Sequence, residues 1–358
     1  MTSQAKYVNT SPHYDAQLRK LAVGGMITMI AFIFAAIYLL PFGNMALLSI
    51  KSKDQQVASA TGSVLPLDAE VFIYEGEEFN IYNVPFEDGT VRQLALVKPT
   101  RRISEFVDPN NPDAGIIEWE GNWRGLEPLT HLNPHWENFP DAWRLINFPK
   151  LFSNTLIIAI SGMIGTLLSS VCVAYAFARF PIPGKNILFI ILISTIILPG
   201  QVTLIPTYAF FAAIGWTGSW LPLIVPHFFS NAYNVFLLRQ FFMTLPRELD
   251  EAAMIDGAGP FRILTQIVIP MSWPAIIAVG LFHFIYAWND YFSPLIYLLG
   301  KPDLVPISVG VQVFNYQYGA RPEYVQATSL MAMVLPLVIF FFAQRTFMRG
   351  VVITGVEK

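Results

Sequence analysis

Long runs of apolar residues constrain this chain more than any other feature of its sequence. A helix needs about 20 apolar residues to cross the hydrocarbon core of a bilayer, where no water is present to bond a free backbone amide. Six runs reach that length: residues 21–48, 151–178, 187–212, 220–242, 273–299 and 327–347. Six membrane-spanning helices are the simplest prediction from this pattern.

The composition agrees with a protein that is surrounded by lipid. Of the 358 residues, 54% are hydrophobic and 13% are charged, whereas charged residues make up about a quarter of an ordinary soluble domain. The formal net charge of -3 gives no overall basic surface, so we expect no nucleic acid partner. The single cysteine, Cys172, lies within an apolar run and excludes an intrachain disulfide.

Basic residues in the short loops predict the orientation of the helices, because cytoplasmic loops carry an excess of Lys and Arg. Such residues precede the first run, follow the second, surround the loop after the fourth and follow the sixth, whereas the loop 215–219 has none. Both termini are therefore expected in the cytoplasm, with residues 1–20 as an N-terminal segment and residues 349–358 as a tail. The first run, 21–48, lacks a signal-peptide cleavage site and is interpreted as a retained anchor.

The segment between the first two runs, residues 52–149, is predicted to lie outside the membrane. It contains short runs rich in β-branched or aromatic residues, separated by turn signals, at 70–74, 91–97, 102–107 and 116–120. His131 and His135 in this segment lack a third ligand, so no zinc site is predicted. The predicted fold is thus an all-α integral membrane protein with six transmembrane helices and a small β-rich extracytoplasmic insert between the first and second.

The cytoplasmic loop at 244–271 has the pattern of a short, capped surface helix. Pro246 suits the first helical turn, and Gly257 with Pro260 ends the helix. Acidic residues near its beginning complement the positive end of the helix dipole; they are Glu248, Asp250 and Glu251. The pattern predicts a helix of about eleven residues, some 16 Å long.

One face of this predicted helix carries Leu249, Ala252 and Ala253, at i, i+3 and i+4 spacing. The small alanines allow another surface to approach the backbone closely. Glu251 and Asp256 stand beside this face and could pair with basic residues of a partner protein. A helix in a partner's groove and a helix resting on its own chain both fit this periodicity.

The residues of this loop resemble the cytoplasmic Glu-Ala-Ala loop of the membrane subunits of bacterial ABC importers. The three residues for which the loop is named stand at Glu251, Ala252 and Ala253. Its later part is matched by Gly257 and by the sequence Ile-Val-Ile-Pro at 267–270. The longer string at 245–259 is similar to that of the carbohydrate-uptake branch, which includes the maltose-type and glycerol-phosphate-type permeases. Three further stretches also look like that branch, at 152–156, 174–179 and 287–291.

This resemblance implies a permease core at 150–348 that forms half of the translocation pathway for a carbohydrate in the bacterial cytoplasmic (inner) membrane. The loop helix would be the coupling helix, held in a cleft of a separate ABC ATPase. Glu251 would bond a basic side chain there, and Gly257 would turn the chain where no Cβ fits. The implied partners are ABC ATPase subunits, a second and non-identical permease subunit and an extracytoplasmic substrate-binding protein.

The chain is expected to be a non-catalytic subunit that binds no cofactor of its own. It has no Gly-x-x-x-x-Gly-Lys-Ser/Thr phosphate loop, so ATP and Mg²⁺ would be held by the partner ATPase.

Two features depart from the family pattern. The chain ends Gly355-Val356-Glu357-Lys358 instead of in the common Gly-Ala-Val-Lys-Gly tail. The insert is also longer than the family's usual first external loop. It would either brace a substrate-binding protein or be a local elaboration of that loop.

Polar residues within the apolar runs are candidates for the translocation pathway. His227, Asn231 and Asn234 follow roughly helical spacing in the fourth run, and Asn289 and Asp290 lie late in the fifth. An ionisable group within a span is costly, so a functional or paired role is the default for Asp290. The alternative role of His227, Asn231 and Asn234 is hydrogen bonding between helices. The alternative role of Asn289 and Asp290 is helix packing.

Two other functions fit parts of this pattern. In a secondary transporter driven by an ion gradient, Asp290 would be the ion-linked carboxylate, although six spans without a recognisable inverted repeat give this alternative little support. A membrane-bound sensor or scaffold would use the external domain for binding and would show no flux. The solute itself is not readable from the sequence.

Overall fold

The computed structural model describes residues 12–59, 64–229, 231–317 and 319–352. Part of the predicted N-terminal segment, residues 1–11, and most of the predicted tail, residues 353–358, lie outside the described residues. The chain divides into two compact units, Met1–Asn138 and Phe139–Lys358. Each unit is described by itself.

The first unit begins with one long apolar helix, α1 (Pro12–Ser49). Every side chain described between residues 17 and 44 is exposed, and apolar side chains occur all around the helix. A helix of this kind is normally surrounded by lipid or by other protein helices. α1 is therefore the expected form of a membrane anchor.

After α1 come a short helix, α2 (Lys53–Ser59), and eight strands. The strands are β1 (Leu67–Ala69), β2 (Val71–Tyr74), β3 (Glu77–Pro85), β4 (Val91–Lys98), β5 (Ile103–Val107), β6 (Ile117–Glu120), β7 (Glu127–Pro128) and β8 (Thr130–Leu132). One sheet has the order β2-β3-β4-β5-β6, with β7 also paired to β3, and β1 pairs with β8. All pairs are antiparallel. Val84, Leu94, Leu96 and Phe106 form the core on this sheet.

A polar network near the base of the insert joins α2, β1 and the segment after β8. The Asp68 carboxylate accepts hydrogen bonds from Gln55 Nε2 at 2.6 Å and from Asn133 Nδ2 at 2.7 Å. His135 lies between two carboxylates, with Nε2 3.5 Å from Asp68 Oδ2 and Nδ1 2.6 Å from Glu137 Oε1. Burial raises the pKa of Asp68, but these hydrogen bonds and His135 outweigh burial, so that the pKa lies below its usual value.

The regular elements of the second unit are all helices within its described residues, joined by turns and short irregular segments. Its helices are α3 (Asn138–Leu145, which begins at the unit boundary), α4 (Phe148–Arg179), α5 (Lys185–Ile197), α6 (Gly200–Ala213), α7 (Leu221–Ile224), α8 (Ala232–Thr244), α9 (Arg247–Ile255), α10 (Pro260–Ile263), α11 (Ile269–Met271), α12 (Trp273–Asn289), α13 (Phe292–Tyr297), α14 (Ile307–Gly310), α15 (Val313–Tyr316) and α16 (Pro322–Val352). A 3-10 segment, Val225–Phe229, follows α7, and a π-helical segment, Leu264–Val268, joins α10 to α11.

Four helical stretches within the described residues are long and apolar enough to cross a membrane: Gln17–Ser49, Phe148–Arg179, Leu221–Thr244 and Pro322–Gln344. Two further helix pairs pass the same test but are sharply bent. The chain bends by 100° between Lys185–Ile197 and Val202–Ala213. It bends by 82° between Pro260–Met271 and Trp273–Asn289. Counting each bent pair as one span raises the number of candidate spans to six.

Three of the predicted runs are not continuous helices. The run 187–212 breaks between Ile197 and Gly200, where Pro199 lacks the amide that would continue the helix. The run 220–242 changes to a 3-10 segment that contains Pro226. The run 273–299 ends its first helix at Asn289, and Asp290 is extended, with φ -66° and ψ 119°. Broken helices are tolerated at membrane depth where protein or a water-filled cavity satisfies the freed backbone groups.

α4 lies at the centre of the second unit, against α8, α12 and the 3-10 segment. Near its carboxyl end, Val171 and Tyr175 join a buried cluster with Val235, Leu238 and Val268. Near its amino end, Asn154 donates hydrogen bonds from Nδ2 to the carbonyl oxygens of Asp303 and Val305, each at 2.9 Å. The family-like string at 152–156 thus fastens the loop after α13 to α4.

Candidate functional site: the α9 loop and the break in the fourth span

The predicted loop helix corresponds to α9, Arg247–Ile255, with Pro246 at its N-cap. Its end has the hydrogen bonds of a Schellman motif. The Gly257 amide donates to the Met254 carbonyl at 3.0 Å, and the Ala258 amide donates to the Ala253 carbonyl at 2.9 Å. Gly257 has φ +80°, the left-handed conformation in which a Cβ is unfavourable.

Within this chain, the backbone conformation accounts for a glycine at 257. A Cβ built on Gly257 would meet nothing within 4 Å in this chain. Space is therefore not what excludes a side chain here. The backbone conformation that ends α9 favours glycine instead.

A buried ion pair fixes the base of α9 to the end of α4. Arg179 Nε lies 2.9 Å from Asp250 Oδ2, and the two side chains are 6% and 10% exposed. Arg179 also donates from Nη2 to the Leu245 carbonyl at 3.0 Å. The string 174–179 and the α9 loop, which both resemble the carbohydrate branch, thus meet in the fold. Sequence reasoning treated Asp250 only as a helix-dipole residue and missed the pair.

The other side of α9 faces outward. Glu251, Ala252, Asp256 and Gly257 are exposed, and Leu249 is 38% exposed. Two further apolar residues that were not singled out by sequence, Met254 and Ile255, are 56% and 87% exposed. The predicted face is therefore divided, since Leu249 and Ala252 point outward whereas Ala253 is partly buried against the chain's own core.

A small cavity of about 230 Å³ lies behind the end of α9. Its lining residues are Ala253, Asp256, Ala258, Arg262, Ile263, Gln266 and Ile267. Arg262 donates from Nε to Gln266 Oε1 at 2.9 Å on its wall. Beyond this cavity α10, the π-helical segment and α11 lead to the bend before α12. The α9 loop thus has packed helical connections to α4 on one side and to α12 on the other.

The three pathway candidates of the fourth run occupy different environments. His227 lies partly buried in the 3-10 segment, and Asn231 is exposed at the N-cap of α8, where its side chain accepts from the Tyr233 and Asn234 amides. Asn234 is 6% exposed and lies inside the helix packing. The predicted helical spacing fails here, because the helix is interrupted between His227 and Asn231.

Asn289 and Asp290 lie at the end of α12 rather than within a continuous helix. Asn289 is exposed and donates from Nδ2 to the Ile285 carbonyl at 2.8 Å. The Asp290 side chain accepts a hydrogen bond from the Ser293 amide at 3.3 Å. The backbone carbonyl oxygen of Asp290 accepts one from Ser308 Oγ at 2.7 Å. Both residues therefore take part in the turn that joins α12 to α13.

Two histidines lie together against α4: the partly buried His227 and the buried His283, which was not selected from the sequence as a pathway residue. The rings of His227 and His283 are 4.4 Å apart between centroids, and His283 Nδ1 is 3.1 Å from Thr166 Oγ1. A Cβ on Gly162 would lie 2.8 Å from His283 Nε2 and 3.1 Å from His227 Cδ2. Glycine at 162 is thus what allows both rings to pack on α4. The Ser169 hydroxyl also lies at the break, with Oγ 3.0 Å from the His227 carbonyl oxygen and 2.8 Å from the Gly165 carbonyl oxygen.

No group of three or more His, Cys, Asp or Glu side chains in the described parts of the chain is placed to hold a metal ion.

Comparison with known proteins identifies the family. Residues 165–351 match the binding-protein-dependent transport system inner membrane component family. The osmoprotective compounds uptake permease protein GgtD of Synechocystis sp. is 32% identical over 269 residues, 74% of this chain and 89% of that protein. The sn-glycerol-3-phosphate transport system permease protein UgpE of Pectobacterium atrosepticum is 33% identical over 235 residues, 63% of this chain and 82% of that protein.

A solved structure shows the same fold. It is a bacterial ABC transporter involved in the import of the acidic polysaccharide alginate, and it matches with a TM-score of 0.63 and 18% identity over 97% of this chain and 100% of that chain. The resemblance that the α9 loop suggested is confirmed by these relatives. The chain therefore belongs to the binding-protein-dependent transport system inner membrane components, the membrane permease subunits of ABC importers.

Proposed function

We propose that this chain is the mechanical half of a sugar importer, a permease subunit that forms one side of the pathway and is driven by a separate ATPase through α9. The observation that carries this proposal is the pairing of an outward-facing α9 with the buried Arg179–Asp250 contact at its base. The exposed face of α9 can be held by the ATPase, and the Arg179–Asp250 contact can pass a movement of α9 to the membrane helix α4.

The exposed side of α9 has the chemistry of a docking helix. Leu249, Ala252, Met254 and Ile255 would lie in an apolar groove of the ATPase, and Glu251 with Asp256 would pair with basic side chains at its rim. ATP and Mg²⁺ would bind only to the ATPase. Closure of two ATPase subunits would draw two such helices together and switch the cavity from inward-facing to outward-facing.

The proposed topology has six spans, with both termini in the cytoplasm and the β-strand insert outside. In chain order, the two bent helix pairs would supply the third and fifth crossings, and the basic residues of the short loops support the orientation. The insert would then lie on the side from which a binding protein delivers solute. The second permease subunit is proposed to be a different chain, as in the carbohydrate branch.

A carbohydrate or related polyol derivative is the proposed solute. The support is that relatives of this chain are named for osmoprotective compounds and for sn-glycerol-3-phosphate. His227, Asn231, Asn234, Asn289 and Asp290 are proposed to lie in or beside the pathway. Asn231 and Asn289 are the two of these that are exposed.

The test is uptake by the intact complex in proteoliposomes, with ATP supplied on the ATPase side. Glu251→Lys is expected to abolish uptake and to weaken retention of the ATPase while the protein still inserts. Glu87→Lys, the same charge reversal in the insert, should leave ATPase retention unchanged. Normal ATP-coupled uptake in Glu251→Lys would refute the proposal. Uptake that an ionophore abolishes with ATP intact would favour the secondary transporter, and no flux under any condition would favour a sensor or scaffold.

A further inference from the structure

An apolar cavity of about 550 Å³ opens on the surface of the second unit, between the beginning of α4 and the middle of α16. The proposed import function makes no use of it. Its volume is within the range of small-molecule pockets, about 300–1,000 Å³. Among the described residues that line it, only Ser153 and the indole of Trp143 carry a polar side-chain atom. A ligand of this cavity must therefore be largely apolar.

One wall of the cavity is a row of stacked aromatic rings on α3 and α4. Trp143 lies on Phe148 with ring centroids 4.5 Å apart and planes at 24°, and Phe148 lies on Phe152 at 5.9 Å and 28°. Phe148 is buried, whereas Trp143 is 42% exposed. A tryptophan that is partly packed and partly open is typical of the boundary between hydrocarbon and lipid headgroups.

The opposite wall is a single stripe of α16. It is formed by Met331, Val334, Leu335 and Val338, at i, i+3, i+4 and i+7 spacing. Val334 is 57% exposed and Val338 45%. Open apolar surface of this kind on a membrane helix is covered either by lipid chains or by another helix.

The cavity is about as deep as one leaflet of a bilayer. Ala327, where the apolar run of α16 begins, packs in a buried cluster with Ala142 of α3 and so marks the level of α3 on α16. Val338 follows Ala327 by three helical turns, which is about 16 Å along the helix. Because the hydrocarbon core is about 30 Å thick, the cavity reaches from the level of α3 to near the bilayer centre, as one acyl chain does.

Two basic residues directly follow residues that line the cavity. Arg144 follows Trp143, and Lys150 follows Pro149. Both are exposed, and neither forms an ion pair within the part of the chain that the structure describes. Asp141 is the one acidic residue in α3 and the first turn of α4, so this segment has a net positive charge. Arg and Lys beside an apolar slot complement a lipid phosphate.

We propose that this cavity binds one acyl chain of an anionic phospholipid, whose phosphate is held by Arg144 and Lys150. The chain packs between the row of rings and the stripe of α16, and it would stabilise the packing of α16 against α4. The site is at the opposite end of α4 from Arg179 and α9, and thus in the leaflet away from the α9 loop. This inference needs only the membrane position that the family gives the chain, so it can fail without the proposed function failing.

Quenching of tryptophan fluorescence by brominated lipids tests the site. The intact complex with its ATPase is reconstituted in phosphatidylcholine nanodiscs that contain a small fraction of phosphatidylglycerol, and a matched fraction of either lipid is brominated along its acyl chains. Brominated phosphatidylglycerol is expected to quench several-fold more strongly than brominated phosphatidylcholine. This difference should be lost in Trp143→Phe, which removes the ring that reports from the cavity.

A pair of matched double variants tests the headgroup contact. Arg144→Gln with Lys150→Gln should remove the preference for phosphatidylglycerol at Trp143. Arg101→Gln with Arg102→Gln, which removes two exposed arginines of the insert, should leave it unchanged. Equal quenching by the two lipids in the wild type, or a preference that survives the first double variant, would overturn the assignment of an anionic phospholipid.

A protein helix is the other possible occupant of the cavity. A benzophenone attached to Val338→Cys, in a Cys172→Ser background, is expected to form an adduct with lipid. An adduct with the second permease subunit, together with a Trp143 that neither brominated lipid quenches, would overturn the proposal and assign the cavity to that subunit.

Discussion

Two residues that are far apart in the chain determine how α9 is held. Arg179 ends α4 and Asp250 lies in the first turn of α9, and their charged groups meet at 2.9 Å in a nearly buried position. The sequence predicted the helix, its acidic first turn and its glycine stop, because those are local signals. The ion pair was not predicted, since one sequence does not reveal which distant charges meet.

Breaking this pair is expected to disconnect α9 from the membrane helices. Removing one partner of a buried ion pair typically costs about 3–5 kcal/mol, because the other charge stays buried without compensation. Arg179→Met and Asp250→Asn should each lower ATP-coupled uptake strongly and reduce the thermal stability of the purified complex. The reversed pair, Arg179→Asp with Asp250→Arg, should recover part of both losses. Single variants as stable and active as the wild type would contradict this role.

The glycine at 257 gives a second prediction at this scale. A residue with a Cβ pays about 1–2 kcal/mol for a left-handed conformation, so Gly257→Ala should weaken the end of α9 and lower ATPase retention. Gly257→Asn should be milder, because asparagine tolerates this conformation better. Gly259→Ala is the matched control, since Gly259 has φ -75°. Equal ATPase retention in the 257 and 259 alanine variants would show that the conformation of Gly257 is not needed.

At the scale of helices and strands, the apolar runs were located well but their continuity was not. Length and hydropathy predict a crossing because the bilayer demands both. The breaks at 197–200 and 225–229 had proline signals, but the break after Asn289 has no proline at its position. This is why Asp290 was expected within a helix and lies instead in the turn before α13. His227 and Asn231 were expected on one continuous helix, whereas the structure has a 3-10 segment at His227 and an extended residue at Asn231; their place in the pathway stays a prediction.

The network around Asp68 predicts that the insert loosens in acid. The pKa of Asp68 lies below its usual value, so its contribution to stability is present above the unfolded-state pKa and is lost as the pH falls through the folded-state value. Limited proteolysis of the intact complex is expected to cleave the insert readily only below about pH 4, the ordinary range for aspartate. Asp68→Asn should be cleaved at neutral pH, whereas Asp113→Asn, at an exposed site of the same insert, should not. Equal resistance of both variants would contradict the prediction.

For the whole molecule, the proposed function divides the chain into a mechanical part around α9 and a part that would contact solute. Fold and family were predictable because the α9 loop carries many spaced residues that resemble one family, and membership is confirmed by relatives about one-third identical. The pathway residues stay predictions. Which residues meet the solute depends on which faces of the broken helices line the pathway, and a sequence pattern does not show this.

The central claim is that α9 docks into the ATPase on the cytoplasmic side. The most direct measurement is photo-cross-linking from Ile255→Cys in a Cys172→Ser background, because Ile255 is 87% exposed on α9. A benzophenone attached there is expected to form an adduct with the ATPase subunit, in a yield that changes when ATP binds, while the same probe at Val338→Cys forms none. Absence of an ATPase adduct, together with labelling of Cys at 255 from outside intact cells, would contradict the account.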